Sequence, residues 1–166
     1  MALTQRITPN LWFDSEAEEA AKFYTSIFKN SSIGRISRYT EVGEDIHKMP
    51  VGSVMTIEFV LDGQKFTGLN GGPIFKFNES ISFIVNCETQ DELDYYWEKL
   101  NIGADPKNQQ CGWLKDKFGV SWQVVPTKFV DMINDPDVEK ASRVMNAMFP
   151  MKKLDLPALE KAYNGN

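Results

Sequence analysis

Two short strings, Ser15-Glu16-Ala17-Glu18 and Thr89-Gln90-Asp91-Glu92, constrain this chain more than any other feature. Each is a capping box. The hydroxyl of the first residue can accept the backbone N–H three positions on, and the acidic side chain can reach back. Each follows an alternating stretch and opens a helical stripe. Residues 6–13 place Ile7, Pro9, Leu11 and Phe13 on one strand face and Arg6, Thr8, Asn10 and Trp12 on the other. Behind Ser15 come Ala17, Ala20, Ala21, Tyr24, Ile27 and Phe28 at spacings of three and four. Residues 80–87 place Ile81, Phe83, Val85 and Cys87 against Ser80, Ser82, Ile84 and Asn86, and the stripe behind Thr89 is Leu93, Tyr96, Trp97 and Leu100. The boxes stand 74 positions apart, so residues 7–13 fall on 81–87.

The repeat extends further. Residues 33–41, 53–61 and 64–70 read as strands, the last two joined by Asp62-Gly63, a strong hairpin signal. In the second half, residues 111–126 read as two strands joined at Asp116-Lys117-Phe118-Gly119 and stopped by Pro126. Setting Gly63 on Gly119 lays Phe66 on Trp122 and Thr67 on Gln123. The chain thus reads as strand–helix–strands, twice. Residues 42–52 read as a loop, and residues 105–110 as a short strand or a loop. From Thr127 the pattern is helical. Asp135-Pro136 opens a helix striped by Val138, Ala141, Val144, Met145 and Met148, and Asp155 opens a last one carrying Leu156, Leu159 and Ala162. The class is α+β.

Composition excludes several roles. A net charge of -5 and a pI near 5.0 argue against nucleic acid, whose phosphates require a basic face. No apolar run is long enough to span a membrane, and the first residues lack the apolar core of a signal peptide. Two cysteines make no disulfide framework, so a cytoplasmic, reduced protein is expected. Aromatic residues form 12% of the chain, enough to fill a core and also line a pocket.

Four stretches resemble a known family: FDSEAEEAAKFYTSIF from Phe13, CETQDELDYYWEKL from Cys87, CGWLKDKFGVSWQVVP from Cys111, and the tail DPDVEKASRVMNAMFPMKKLDLPALEKAY. They resemble the PhnB-like proteins, many described as 3-demethylubiquinone-9 3-methyltransferase-like. These belong to the vicinal oxygen chelate superfamily of glyoxalases, bleomycin resistance proteins and extradiol dioxygenases. The resemblance implies paired βαβββ modules forming a curled mixed sheet around a cavity, with a helical C-terminal extension. It implies one domain over residues 1–166, with module one at about 1–72, module two at about 78–126 and a helical tail at 127–166. It also implies a homodimer, often with elements exchanged between subunits.

Metal-using members of the superfamily carry His, Glu or Gln ligands on the first and last strands of each module. Those positions fall here on Thr8, Thr67, Ser80 or Ser82, and Gln123. Hydroxyls and an amide hold zinc, nickel or iron poorly, and His47 stands in a loop with no partner at ligand spacing. No metal and no cofactor are therefore expected. Methyl transfer has no support either. Gly68-Leu69-Asn70-Gly71-Gly72-Pro73 is glycine-rich, but a proline-containing break follows it instead of a capped helix.

Among reactive groups Cys111 is the catalytic candidate, with Lys115 and Lys117 near it in sequence to lower its pKa. Cys87, Trp97 and Trp122 read as core, and Glu58 as a mid-strand acid facing water or a pocket. Trp12, Thr8, Thr67, Ser82, Trp113 and Gln123 are the expected ligand contacts, an aromatic and amide lining suited to a small flat organic molecule. The alternatives are an enzyme of undefined reaction or a dimeric scaffold docking through Met145, Met148 and Met151.

Overall fold

Asp62 and Gly63 both take positive φ, 45° and 80°, the geometry of a two-residue hairpin turn, and this turn sets the register of the first sheet. In the computed structural model, which describes residues 5–166, the turn joins β3 (Val54–Leu61) to β4 (Gln64–Asn70), paired from Leu61↔Gln64 to Thr56↔Leu69. β1 (Asn10–Phe13) lies parallel to β4, and β2 (Ser32–Arg38) closes antiparallel on β3, giving the order β1-β4-β3-β2. Between β1 and β2 runs α1 (Ala17–Ile27). Its buried stripe of Ala17, Ala20, Ala21, Tyr24 and Ile27 matches a sheet face of Leu11, Phe13, Ile57, Phe59, Leu61 and Phe66. Small residues let helix and sheet approach closely. A Cβ on Gly68 would sit 3.1 Å from both Ala17 Cβ and Ile57 Cγ2. α2 (Glu44–His47) is a single turn within residues expected as a loop.

The chain divides into two compact units, Met1–Phe77 and Asn78–Asn166. The second opens with β5 (Phe83–Cys87) and α3 (Gln90–Leu100) and continues with β6 (Trp113–Lys115) and β7 (Ser121–Pro126) in the order β5-β7-β6. β5–β7 is parallel and β6–β7 antiparallel, so both sheets are mixed, and neither closes. The repeat aligned in sequence appears in the hydrogen-bonded register. Asn10 faces Thr67 and Phe13 faces Asn70 in the first sheet; their counterparts, Ile84 with Gln123 and Cys87 with Pro126, face each other in the second. The units differ where β2 stands in the first. At the matching place the second has a 3-10 turn, Pro106–Asn108, and an isolated bridge, Gln110↔Trp113, so residues 105–110 form no strand.

The tail folds as α4 (Thr127–Ile133), α5 (Val138–Met148) and α6 (Leu156–Tyr163). It also meets the β6 hairpin. The Cys111 N–H donates to the Met151 carbonyl at 2.8 Å and the Gly112 N–H to the Lys152 carbonyl at 2.7 Å, while the Gly112 carbonyl accepts from the Val124 N–H.

Several expectations need correction. The first capping box does not cap. Glu16 occupies the N-cap position without a side-chain cap bond, and the Ala17 N–H donates to Asn70 Oδ1 at 2.8 Å. The second works by halves: Thr89 Oγ accepts from the Glu92 N–H, but Glu92 reaches back to the Glu88 N–H, one residue early. The first strands of both units are shorter than their alternation, which carries on past the paired residues. Ile7 and Ile81, equivalent in the repeat, are 85% and 73% exposed. α5 starts after Pro136, capped by Asp137, whose carboxylate accepts from Glu139 and Lys140 N–H groups, and Val138 is exposed. Asp155 caps α6 as expected.

Candidate functional site

With one face of each sheet buried under its helix, strand alternation turns a second residue set to the open face. In the first unit this set includes Trp12, Thr56, Glu58, Val60, Lys65 and Thr67, with Glu58 directly opposite Thr67. A depression of about 360 Å³ there is lined by Thr8, Thr67, Glu58, Arg35 and Lys65 among others. Thr8 and Thr67 are thus brought together, and Glu58 joins them exposed. Trp12 is engaged elsewhere. Its Nε1–H donates to the Gly72 carbonyl at 2.9 Å, and Phe75 meets its ring edge-on at 5.0 Å. Gly71 abuts that ring, where a Cβ would come within 2.1 Å of Trp12 Cζ2. The glycine-rich stretch therefore seats an indole, and residues 71–82 form no helix after it.

In the second unit three expected contacts converge. Gln123 is paired in register with Trp113 on one side and Ile84 on the other, and its Nε2–H donates to Ser82 Oγ at 2.8 Å. Beside them is a pocket of about 400 Å³, lined by Glu79, Lys107, Gln110, Trp113, Lys115 and Ser121 among others. Lys115 pairs with Glu79, and the ammonium holds that carboxyl below the usual carboxylate range. Ser121, opposite Lys115 in the ladder, is 2% exposed, and its Oγ has no hydrogen-bond partner among the described residues. Two residues before Gln123 in the strand, Ser121 shares its face and is not among the contacts expected from the sequence. The Lys115–Glu79 pair joins residues too far apart in sequence for any local pattern to show.

The hairpin is held by a residue that sequence reading passed over. Asp116 is buried at the turn, where its carboxylate accepts from the Phe118 and Val120 N–H groups and, at 2.8 Å, from Trp122 Nε1–H. Trp122 and Trp97 are core, as expected.

The first- and last-strand positions carry hydroxyl, amide and apolar side chains, with no imidazole, thiolate or carboxylate. Asn10 faces Thr67, and Ile84 faces Gln123. Among the described residues no three of His, Cys, Asp and Glu are grouped to hold an ion, and hydroxyl and amide donors do not suit zinc, nickel or iron. His47 accepts the Met49 N–H at Nδ1 and lies 4.5 Å from the Tyr39 ring, a structural setting.

Cys111, at φ 49°, is half-buried, with Gln110 Nε2 and the carbonyls of Met148 and Phe149 as its polar neighbours. Its Sγ lies 3.8 and 3.6 Å from those two carbonyl oxygens. Lys115 is committed to Glu79, and Lys117 lies over the Phe118 ring. Cys87 is fully buried, and burial, then the charge of Glu92, pushes its thiol up to about 12.

The model of the family described as 3-demethylubiquinone-9 3-methyltransferase matches residues 5–125. Among solved structures, a PhnB protein of that description from Bacillus cereus is 38% identical, with a TM-score of 0.63, over 74% of this chain and 100% of its own. A Pseudomonas aeruginosa protein at 17% identity and TM-score 0.57 covers 74% of this chain and 98% of its own. The fosfomycin resistance protein FosX of Listeria monocytogenes, at 11% and 0.53, covers 78% and 96%. These last two share the fold. No curated protein matches the chain. Helices α4–α6 lie beyond the family match.

Proposed function

The chain belongs to the PhnB-like family described as 3-demethylubiquinone-9 3-methyltransferase, and from that membership we propose that it binds a small, flat organic molecule without a metal. The observation that carries this reading is the convergence of Ser82, Gln123 and Trp113 on one open sheet face beside a pocket of about 400 Å³. An indole offers a stacking surface, and an amide and a hydroxyl in contact fix orientation with few polar groups, the usual make-up of a small-molecule site. Thr8, Thr67 and Glu58 give the first unit a smaller polar counterpart. The donor set supports binding over metal-assisted chemistry. We place the protein in the cytoplasm as a homodimer; no described helix is long and apolar enough to cross a membrane.

Thermal-shift screening against aromatic and quinone-like compounds, beside divalent metals, tests the reading. Stabilisation by a planar organic compound, lost in Gln123→Ala, is the expected result. Stabilisation by a divalent metal alone would overturn it. Light scattering on the eluting peak checks the dimer.

A further inference from the structure

The second-unit pocket contains a contradiction that a ligand resolves. A hydroxyl with no partner is costly to bury, and Ser121 is 2% exposed; the same residue is among those that line this pocket. Across the ladder from it, Lys115 lines the same pocket, as does Lys107. One carboxylate is already there. Glu79 pairs with Lys115 while its own side chain is 62% exposed, so it reaches in from solvent and can return there with little change in hydration. Trp113 supplies a flat wall.

We propose that this pocket takes the carboxylate of a planar organic acid, which displaces Glu79 from Lys115 and accepts a hydrogen bond from Ser121 while its ring lies against Trp113. This deepens the function proposed above and rests on it, since it gives that flat molecule an acidic group and a place to put it. Glu79 then acts as a resident competitor that keeps Lys115 neutralised until an acid arrives. Binding exchanges one carboxylate for another at Lys115, so net discrimination comes from Ser121 and from the ring, neither of which Glu79 satisfies. A neutral molecule of the same shape leaves the ion pair intact and cannot reach Ser121.

Benzoate and its neutral analogue benzamide, titrated against the full chain and followed by amide shifts in NMR, provide the test. Benzoate is expected to bind with shifts centred on residues 113–121. Glu79→Gln should tighten it roughly 3-fold by removing the competitor, Lys115→Met should weaken it at least about 10-fold, and Ser121→Ala about 10-fold. Ser121→Ala carries a second readout. With no ligand it should raise Tm by about 2–4 °C, because the unpartnered hydroxyl is gone. A merely structural serine would show lowered stability on truncation and no change in affinity. Tightening in Glu79→Gln together with the opposed effects of Ser121→Ala supports the proposal. Benzoate affinity unchanged in Glu79→Gln and Lys115→Met overturns it. Benzamide binding with benzoate excluded overturns the acid assignment and leaves the wider function standing, whereas no binding by either or by any other planar compound overturns both.

Discussion

Asn70 gives the sharpest test of how the first unit is held together. At 4% exposure its Oδ1 accepts the Ala17 N–H at 2.8 Å, capping α1 from another element, and its Nδ2–H donates to the Val54 carbonyl at 3.0 Å. Asn70→Ala removes both bonds. Losing a helix cap costs about 0.5–2 kcal/mol, and taking a donor from a buried carbonyl costs about 1 kcal/mol more. The expected loss is therefore about 1.5–3 kcal/mol, or roughly 3–12 °C in Tm for a chain of this size. Ser15→Ala is the control. Sequence pattern makes Ser15 the cap, but its hydroxyl caps nothing, so the change should stay within about 0.5 kcal/mol. Thermal melts by circular dichroism give the stabilities, and hydrogen exchange at the Ala17 amide gives the mechanism, with protection falling in Asn70→Ala alone. Equal destabilisation by Ser15→Ala, or an Ala17 amide still protected in Asn70→Ala, would refute the reasoning.

Three other changes test separate parts of the molecule. Asp116→Ala orphans the Phe118, Val120 and Trp122 donors together, and should cost about 3 kcal/mol in denaturant melts and alter the near-UV signal of Trp122. Gly71→Ala drives a methyl into the Trp12 ring; a loss of about 1–3 kcal/mol with a shift in Trp12 emission is expected, and wild-type stability would contradict the close approach. Cys87 keeps its proton to about 12 when folded, while an unfolded thiol releases it near 8.5. Between these values the unfolded state binds fewer protons, so stability should fall as pH rises, by at most about 1.4 kcal/mol per pH unit, and Cys87→Ala should flatten that alkaline limb.

Features built from neighbours in sequence were legible beforehand. The stripes of α1 and α3, the Asp62-Gly63 turn and the hairpin turn at Gly119 each follow from a few adjacent residues, and all formed where expected. Alternation also separated Trp122 from Gln123 correctly, and the residues equated by the repeat occupy equivalent positions in both parallel pairs. What escaped was set by distant partners. The pattern points Ser15 at the Glu18 amide, but α1 is capped at the Ala17 amide by Asn70, 53 residues away. Ile7 and Ile81 continue an alternation beyond the residues that pair, and both are exposed. For the site, the convergence of Gln123, Ser82 and Trp113 follows from strand register, whereas Ser121, Lys115 and Glu79 became a unit only once burial and the ion pair were in view.

The bonds from Cys111 and Gly112 to the Met151 and Lys152 carbonyls bear on the order in which the chain can acquire its structure during synthesis. Every strand of the first sheet lies within the first 70 residues, so that unit has its full set of backbone partners soon after it leaves the ribosome. The start of the β6 hairpin must wait for residues 151 and 152, with the Cys111 and Gly112 amides unpaired while α4 and α5 are still being made. Nascent or truncated chains ending short of Met151 would therefore carry a native first unit beside an unsealed hairpin, a species open to capture by other strands.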